Sequence, residues 1–98
     1  MYDLIDDMID AFSYSIGDGA GEIAEYAYQV FSENFAMLEE IALLYANYEL
    51  TEEEFEEELE DQRITLETQL LALVVIQKAV LQRAIDSALN IFRQSVGL

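Results

Sequence analysis

The side chains of this chain that could do chemistry are nearly all carboxylates. Its 98 residues include 21 aspartates and glutamates and four lysines and arginines, with no histidine and no cysteine. Glu22 and Glu25 lie three residues apart, the spacing of the Glu-x-x-His pairs that bind metals in helical bundles. Histidine is missing, and both glutamates fall on the polar side of a predicted helix. A carboxylate-only, ferritin-like metal site is therefore only a weak alternative.

Without histidine the chain lacks the commonest general base and metal ligand, and without cysteine it lacks a thiolate nucleophile. Serines and tyrosines are present, but no base is available to activate them. We therefore predict no catalytic, cofactor-binding or metal-ligating residue. The chain is predicted not to be an enzyme and to need no cofactor.

The glycine-rich run at residues 17–21 is the other motif that could hold a ligand. A phosphate-binding loop would open a helix in this way, but no strand is predicted before the run, no lysine follows it, and Asp18 would repel phosphate. The spacing also fails the calcium loop of an EF-hand. Closely spaced glycines allow the left-handed backbone that ends one helix and starts another. The run is predicted to be a turn, with Asp18 or the adjacent glycine capping the next helix.

Residues 49–61 form the densest charge in the chain, with nine acids in thirteen residues. On a helix these acids repel one another at spacings of three and four, at a summed cost on the order of 2–5 kcal/mol. An uncompensated cost would point to a docking surface for a basic protein, but charge runs are usually solvated faces. Both interpretations stay open, with a weak cation site as the third. The predicted docking surface consists of Glu52, Glu53, Glu54, Glu56, Glu57, Glu58, Glu60 and Asp61.

A helix start is predicted just before most of these acids. Thr51 as N-cap puts Glu54 at the third helical position, which is the pattern of a capping box. Leu50 and Phe55 stand where a hydrophobic staple requires apolar residues. The sequence therefore predicts that a helix begins at Glu52.

The elements around these sites are all predicted to be helices, because proline is absent, glycine is rare and no apolar residues alternate as in a strand. Three helices are predicted, at about residues 4–16, 20–48 and 52–96, with Asp3 as the N-cap of the first. A break near residues 61–65 is the main alternative to a continuous third helix of about 65–70 Å, at 1.5 Å per residue. Helix 1 is expected either to fold back on helix 2 or to cover the later part of helix 3.

The fold predicted from these elements is a single all-α domain over residues 1–98. A short helix 1 and long helices 2 and 3 would form a helical hairpin or a three-helix arrangement. Oligomerisation would complete this arrangement as a bundle, because the third helix is too long and too apolar for two others to cover.

Helix 3 loses its polar stripe in the middle. Solvent-facing positions such as Glu60, Arg63 and Glu67 are followed by Leu71, Val74 and Val75. A helix that is apolar all round is normally buried all round. Burial of each exposed Leu or Val contributes about 1.5–3 kcal/mol, which across a two-fold axis would support a dimer. The predicted self-association interface comprises Leu70, Leu71, Val74, Val75 and Lys78.

Two alternatives to that interface remain. Helix 1 could fold back over the apolar patch in a compact monomer, or a different protein could cover the patch. The aromatic residues Tyr2, Tyr14 and Tyr48 are further candidates for interface contacts, since they are less clearly part of the core pattern.

Charge is divided unevenly along the sequence. Residues 1–62 contain 19 acids and no base, whereas residues 63–98 contain four bases and two acids. Such a protein would be repelled by nucleic acid and by anionic membranes, and its longest apolar run is too short to span a bilayer. We predict a cytoplasmic protein, or one within a particle assembled in the cytoplasm, with no direct nucleic-acid or membrane partner.

The function predicted from these features is that of a non-enzymatic structural, assembly or adaptor protein. Its partner would be itself, as a homodimer or a higher oligomer. The alternative is an acidic inhibitor that mimics nucleic acid and occupies a basic site on another protein. Small acidic helical proteins of viral or mobile-element origin fit either description.

Overall fold

The computed structural model of the chain describes residues 3–97. It contains four helices within that range, which are α1 (Leu4–Ile16), α2 (Ala20–Ala46), α3 (Glu52–Leu71) and α4 (Lys78–Ser95). No strand is present among these residues. The all-helical prediction is confirmed. The prediction of three helices is wrong, because the third is divided into α3 and α4.

Local sequence signals set the ends of α1 as predicted. Asp3 caps its start, where Oδ1 accepts a hydrogen bond of 3.0 Å from the Ile5 backbone N–H. After Ile16 the chain turns through Gly17 and Gly19, whose φ angles of 81° and 85° lie in the region that disfavours other residues. Gly19 is the N-cap of α2, so the prediction that the glycine run separates two helices is confirmed.

The turn between α2 and α3 combines two capping motifs. At the end of α2, the Glu49 N–H donates to the Leu44 carbonyl at 2.8 Å and the Tyr48 N–H donates to that of Tyr45 at 3.1 Å, as in a Schellman motif. At the start of α3, the Glu54 N–H donates to Thr51 Oγ1 at 3.1 Å, and Glu54 Oε1 accepts from the Thr51 N–H at 2.9 Å. The predicted capping box is confirmed.

The predicted continuous helix over 52–96 is wrong, and so is the alternative break at 61–65. α3 passes through residues 61–65 without interruption and ends at Leu71, and residues 72–77 connect it to α4. The longest dimension of the molecule is 40 Å, too short for a helix of about 65–70 Å. The connection contains Val74, Val75 and Ile76, and β-branched residues have lower helix propensity.

The four helices pack in a ring, in which α1 lies against α2 and α4, and α3 lies against α2 and α4. Helix 1 therefore meets both of its predicted placements, since α4 is the later part of the predicted helix 3. The ring centroids of Phe55 and Phe92 are 6.2 Å apart, so the start of α3 lies beside the end of α4. The largest buried core side chains include Phe12, Phe31, Leu38, Phe55, Leu59, Leu66, Leu81, Ile85 and Phe92.

Candidate interaction surfaces

The connection between α3 and α4 forms an apolar surface, which we call the tip and define as Leu71, Leu73, Val74, Val75 and Lys78. Val75 is completely exposed, and Leu71 and Leu73 are 39% and 46% exposed. Val74 is half-buried, while Ile76 turns back and packs against the core. The prediction that Leu70 belongs to the interface is wrong, because Leu70 is fully buried in the core and cannot contact a partner.

The tip lies in the part of the sequence that contains no acid. Residues 68–85 include no aspartate or glutamate and two bases, Lys78 and Arg83. Both bases are exposed, and neither takes part in a salt bridge within residues 3–97. The other two bases, Arg63 and Arg93, are paired with carboxylates. The tip therefore combines exposed apolar side chains with the cationic part of a strongly acidic chain.

The predicted acidic docking surface lies on the first half of α3 and is partly neutralised by the bundle itself. Arg93 on α4 reaches Glu56, with Nε 3.0 Å from both carboxylate oxygens. Arg63 binds Glu60, with Nε 3.1 Å from both of its oxygens, and this hydrogen bond lowers the pKa of Glu60 and raises that of Arg63. The exposed acids that remain are Glu52, Glu53, Glu54, Glu57, Glu58 and Asp61.

Glu67 lies inside the protein rather than on the solvent-facing stripe where the sequence placed it. Its residue exposure is 7%, and its nearest cation is Arg63, with Nη1 3.9 Å from Oε2. Its Oε1 is buried and has no hydrogen-bond partner within residues 3–97. The prediction failed because it assumed a continuous helix. Once α4 folds back, the face of α3 that includes Glu56, Glu60 and Glu67 is turned towards it.

A second apolar surface lies at the other end of α4, and nothing in the sequence analysis identified it. It is an open groove of about 790 Å³, which we call the groove. Its apolar lining comprises Leu4, Phe35, Ala42, Leu43, Ala46, Phe92 and Val96. Asp3 and Glu39 also line it. The groove forms because α2 and α4 are diagonal in the ring and do not approach one another closely over residues 3–97.

Leu43 lies on the groove wall, and its side chain is accessible to a partner because it is 62% exposed. Beside the groove a smaller cleft includes Tyr48, Leu50 and Val96, at the turn between α2 and α3. The two cavities share Ala46 and Val96. The two cavities therefore lie next to each other at this end of the bundle.

The tyrosines considered as interface contacts have different outcomes. Tyr14 and Tyr48 are 91% and 96% exposed, so both side chains are available to a partner. Tyr2 lies outside the residues that the structure describes. Neither Tyr14 nor Tyr48 belongs to the tip, and only Tyr48 lies near the groove.

Within residues 3–97, no set of three carboxylates comes together in a way that could hold a metal ion, and no helix is both long enough and apolar enough to cross a membrane.

No protein-family model, curated protein or solved structure matches the chain. Function is therefore inferred from the residues and geometry described above.

Proposed function

We propose that this chain is a non-enzymatic assembly protein that binds further copies of itself through the tip. The observation that supports the proposal is Val75, an apolar residue that is completely exposed between Leu73 and Ile76 in an apolar connection. Contiguous apolar surface is a frequent mark of a protein–protein contact. The residue types point the same way, since the sequence offers carboxylates but no histidine or cysteine for catalysis.

The energy available from the tip limits what its partner can be. Full burial of a Leu or Val contributes about 1.5–3 kcal/mol, so the exposed parts of Leu71, Leu73 and Val75 contribute on the order of 3–5 kcal/mol. The loss of translational and rotational freedom on association costs about 4–15 kcal/mol. The tip alone barely meets the lower figure. A stable contact therefore requires a partner surface that is itself apolar and concave enough to enclose the tip.

Sedimentation at several concentrations tests the proposal. Wild-type protein should associate as its concentration rises to tens of micromolar, whereas Val75→Glu should stay monomeric, because a charge placed in an apolar contact loses its hydration. Ser32→Glu is the matched control, since it adds the same charge at an exposed residue of α2 outside the tip and the groove. A wild-type protein that stays monomeric throughout would refute self-association.

The acidic surface supports a second candidate function, the mimicry of nucleic acid. Six of the eight acids between residues 52 and 61 have no salt bridge with any residue of 3–97, over a helical rise of about 15 Å at 1.5 Å per residue. That is roughly one charge per 2.5 Å, close to the one per about 1.7 Å along a DNA duplex. A basic site that binds DNA could therefore accept this surface.

Competition with DNA separates this candidate from the first. If the chain mimics nucleic acid, it should displace duplex DNA from a basic DNA-binding protein, and 1 M salt should weaken the complex by screening its charges. Replacement of Glu52, Glu53, Glu57 and Glu58 by Gln should abolish the displacement. Val75→Glu, which leaves these acids intact, should retain it. Equal activity of the Gln variant and wild type would rule mimicry out.

A further inference from the structure

We propose that copies of this chain associate head to tail, with the tip of one copy inserted into the groove of the next. This inference rests on the proposed function and specifies the surface that receives the tip. The receiving surface is the groove of a second copy, which is lined by Leu4, Phe35, Leu43 and neighbouring residues. Each copy then contacts its neighbours through two different surfaces, the tip and the groove.

The groove is large enough to receive the tip. The side chains of Leu73, Val74 and Val75 contain ten carbon atoms, and a carbon atom with its hydrogens fills about as much space as a water molecule, roughly 30 Å³. They need about 300 Å³ by that measure. The groove offers about 790 Å³ and is open to solvent, so the tip can enter it without displacing a helix.

Charge selects the head-to-tail pairing over the symmetric ones. The groove is edged by Asp3 and Glu39, whereas the tip includes Lys78 and lies near Arg83. Two tips placed together would bring cations together, and two grooves would bring carboxylates together. The tip-to-groove contact is the pairing in which the charges have opposite signs, and like-charge contacts suppress wrong pairings.

The energies also favour this contact. The tip buries its exposed apolar side chains in this contact, and the groove adds the burial of its own lining, including the 62% of Leu43 that is exposed. The two contributions together exceed the lower range of association costs, which the tip alone barely reaches.

The position of the two surfaces determines the kind of assembly. The tip precedes α4 and the groove includes Phe92 near its end, so an 18-residue helix of about 27 Å separates them. A contact between two different surfaces of the same chain leaves one tip and one groove free in every dimer. Such contacts build rings where the rotation closes and filaments where it does not. The assembly should therefore grow beyond a dimer as concentration rises.

Complementation between two variants tests the proposal. Val75→Glu disables the tip but leaves the groove intact, and Leu43→Glu disables the groove but leaves the tip intact. Both positions are exposed, so both variants should fold, which circular dichroism can check. The two substitutions add charges of the same sign, so they cannot attract each other. Val75→Ser and Leu43→Ser replace them if either charged variant unfolds.

Each variant alone should be monomeric, with self-association weakened roughly tenfold or more, equivalent to 1.4 kcal/mol or more. An equimolar mixture should form a 1:1 complex that does not grow further, because the single intact tip occupies the single intact groove. Ser32→Glu should behave as wild type, forming larger species as its concentration rises.

The remaining outcomes overturn the inference in distinguishable ways. If Leu43→Glu self-associates as wild type does while Val75→Glu does not, the copies meet at their tips, and head-to-tail association is wrong although the proposed function stands. If both variants are monomeric and their mixture also stays monomeric, the tip does not enter the groove. If wild type itself is monomeric, the proposed function fails and this inference fails with it.

Discussion

Tyr48 occupies an unfavourable backbone conformation. It is the only residue other than glycine within 3–97 whose φ is positive, at 61°. The left-handed conformation costs about 1–2 kcal/mol for a residue with a Cβ atom, and the side chain is 96% exposed, so it gains little packing in return. Tyr48→Gly should therefore raise the free energy of unfolding by about 1 kcal/mol, as measured by urea denaturation.

Tyr14→Gly is the control for that experiment. Tyr14 is equally exposed but lies within α1, where glycine lowers stability by about 0.5–1 kcal/mol. The two substitutions should therefore have opposite effects. A loss of stability in both would mean that the Tyr48 side chain makes a stabilising contact that outweighs its backbone strain.

Glu67 is a second residue whose environment lowers stability. One of its carboxylate oxygens is buried and has no hydrogen-bond partner in the described part of the chain, and Arg63, its nearest cation there, is already bound to Glu60. A buried polar atom without a hydrogen bond costs about 1–3 kcal/mol. Glu67→Leu should raise the free energy of unfolding by an amount in that range in thermal or urea unfolding. Glu58→Leu, at an exposed position on the same helix, should change it by no more than about 0.5 kcal/mol.

Within α3, the pairing of Glu60 with Arg63 predicts a dependence on pH. The hydrogen bond from Arg63 lowers the pKa of Glu60 below its usual value of 4.5, so ionised Glu60 favours the folded state. Its contribution is complete above pH 4.5 and is lost as the pH falls through the lower pKa of the folded state. Because Glu60 is well exposed, the contribution is about 0.2–1 kcal/mol.

Urea unfolding at pH 6 and at pH 3 measures that contribution. Glu60→Gln should be less stable than wild type at pH 6, and the difference should be smaller at pH 3, because ionised Glu60 loses its contribution as the pH falls below 4.5. Ionised Asp6 should instead disfavour the folded state, because loss of hydration and repulsion from Asp3 raise its pKa above 3.8. Asp6→Asn should therefore be more stable than wild type at pH 6. A stability difference for Glu60→Gln that does not change with pH would contradict the assignment.

Elements with a local chemical signature were predictable from the sequence. Asp3, the glycine turn and the Thr51 capping box each involve residues within three or four positions of one another, and the structure places all of them as expected. The break after Leu71 has no such signature, since residues 71–77 contain neither glycine nor proline. It depends on α4 returning to bury Leu81, Ile85 and Phe92, a tertiary contact that helical periodicity does not reveal.

At the scale of the whole molecule, the same fold-back determined which site residues could be predicted. Leu71, Val74 and Val75 were predicted to be exposed because an apolar run interrupts a polar stripe, and the structure exposes Leu71 and Val75 and leaves Val74 half-buried. Leu70 was wrongly included, because the turn that exposes its neighbour leaves Leu70 in the core. The groove could not have been found, since its lining combines α1, α2 and α4, and only the ring arrangement brings them together.

Net charge predicts how the assembly responds to salt. Each copy has a formal charge of −17, so copies repel one another at low ionic strength. In the proposed contact, attraction between Lys78 of one copy and Glu39 of the next contributes only about 0.2–1 kcal/mol at the surface. The apolar part of the contact strengthens in salting-out solutions. Salt shortens the screening length from about 30 Å at 0.01 M to about 3 Å at 1 M, which removes the long-range repulsion. Self-association should therefore be stronger in 1 M than in 0.01 M salt, as measured by sedimentation. Weaker association in 1 M salt would mean that charge pairing, rather than burial of the tip, dominates the contact.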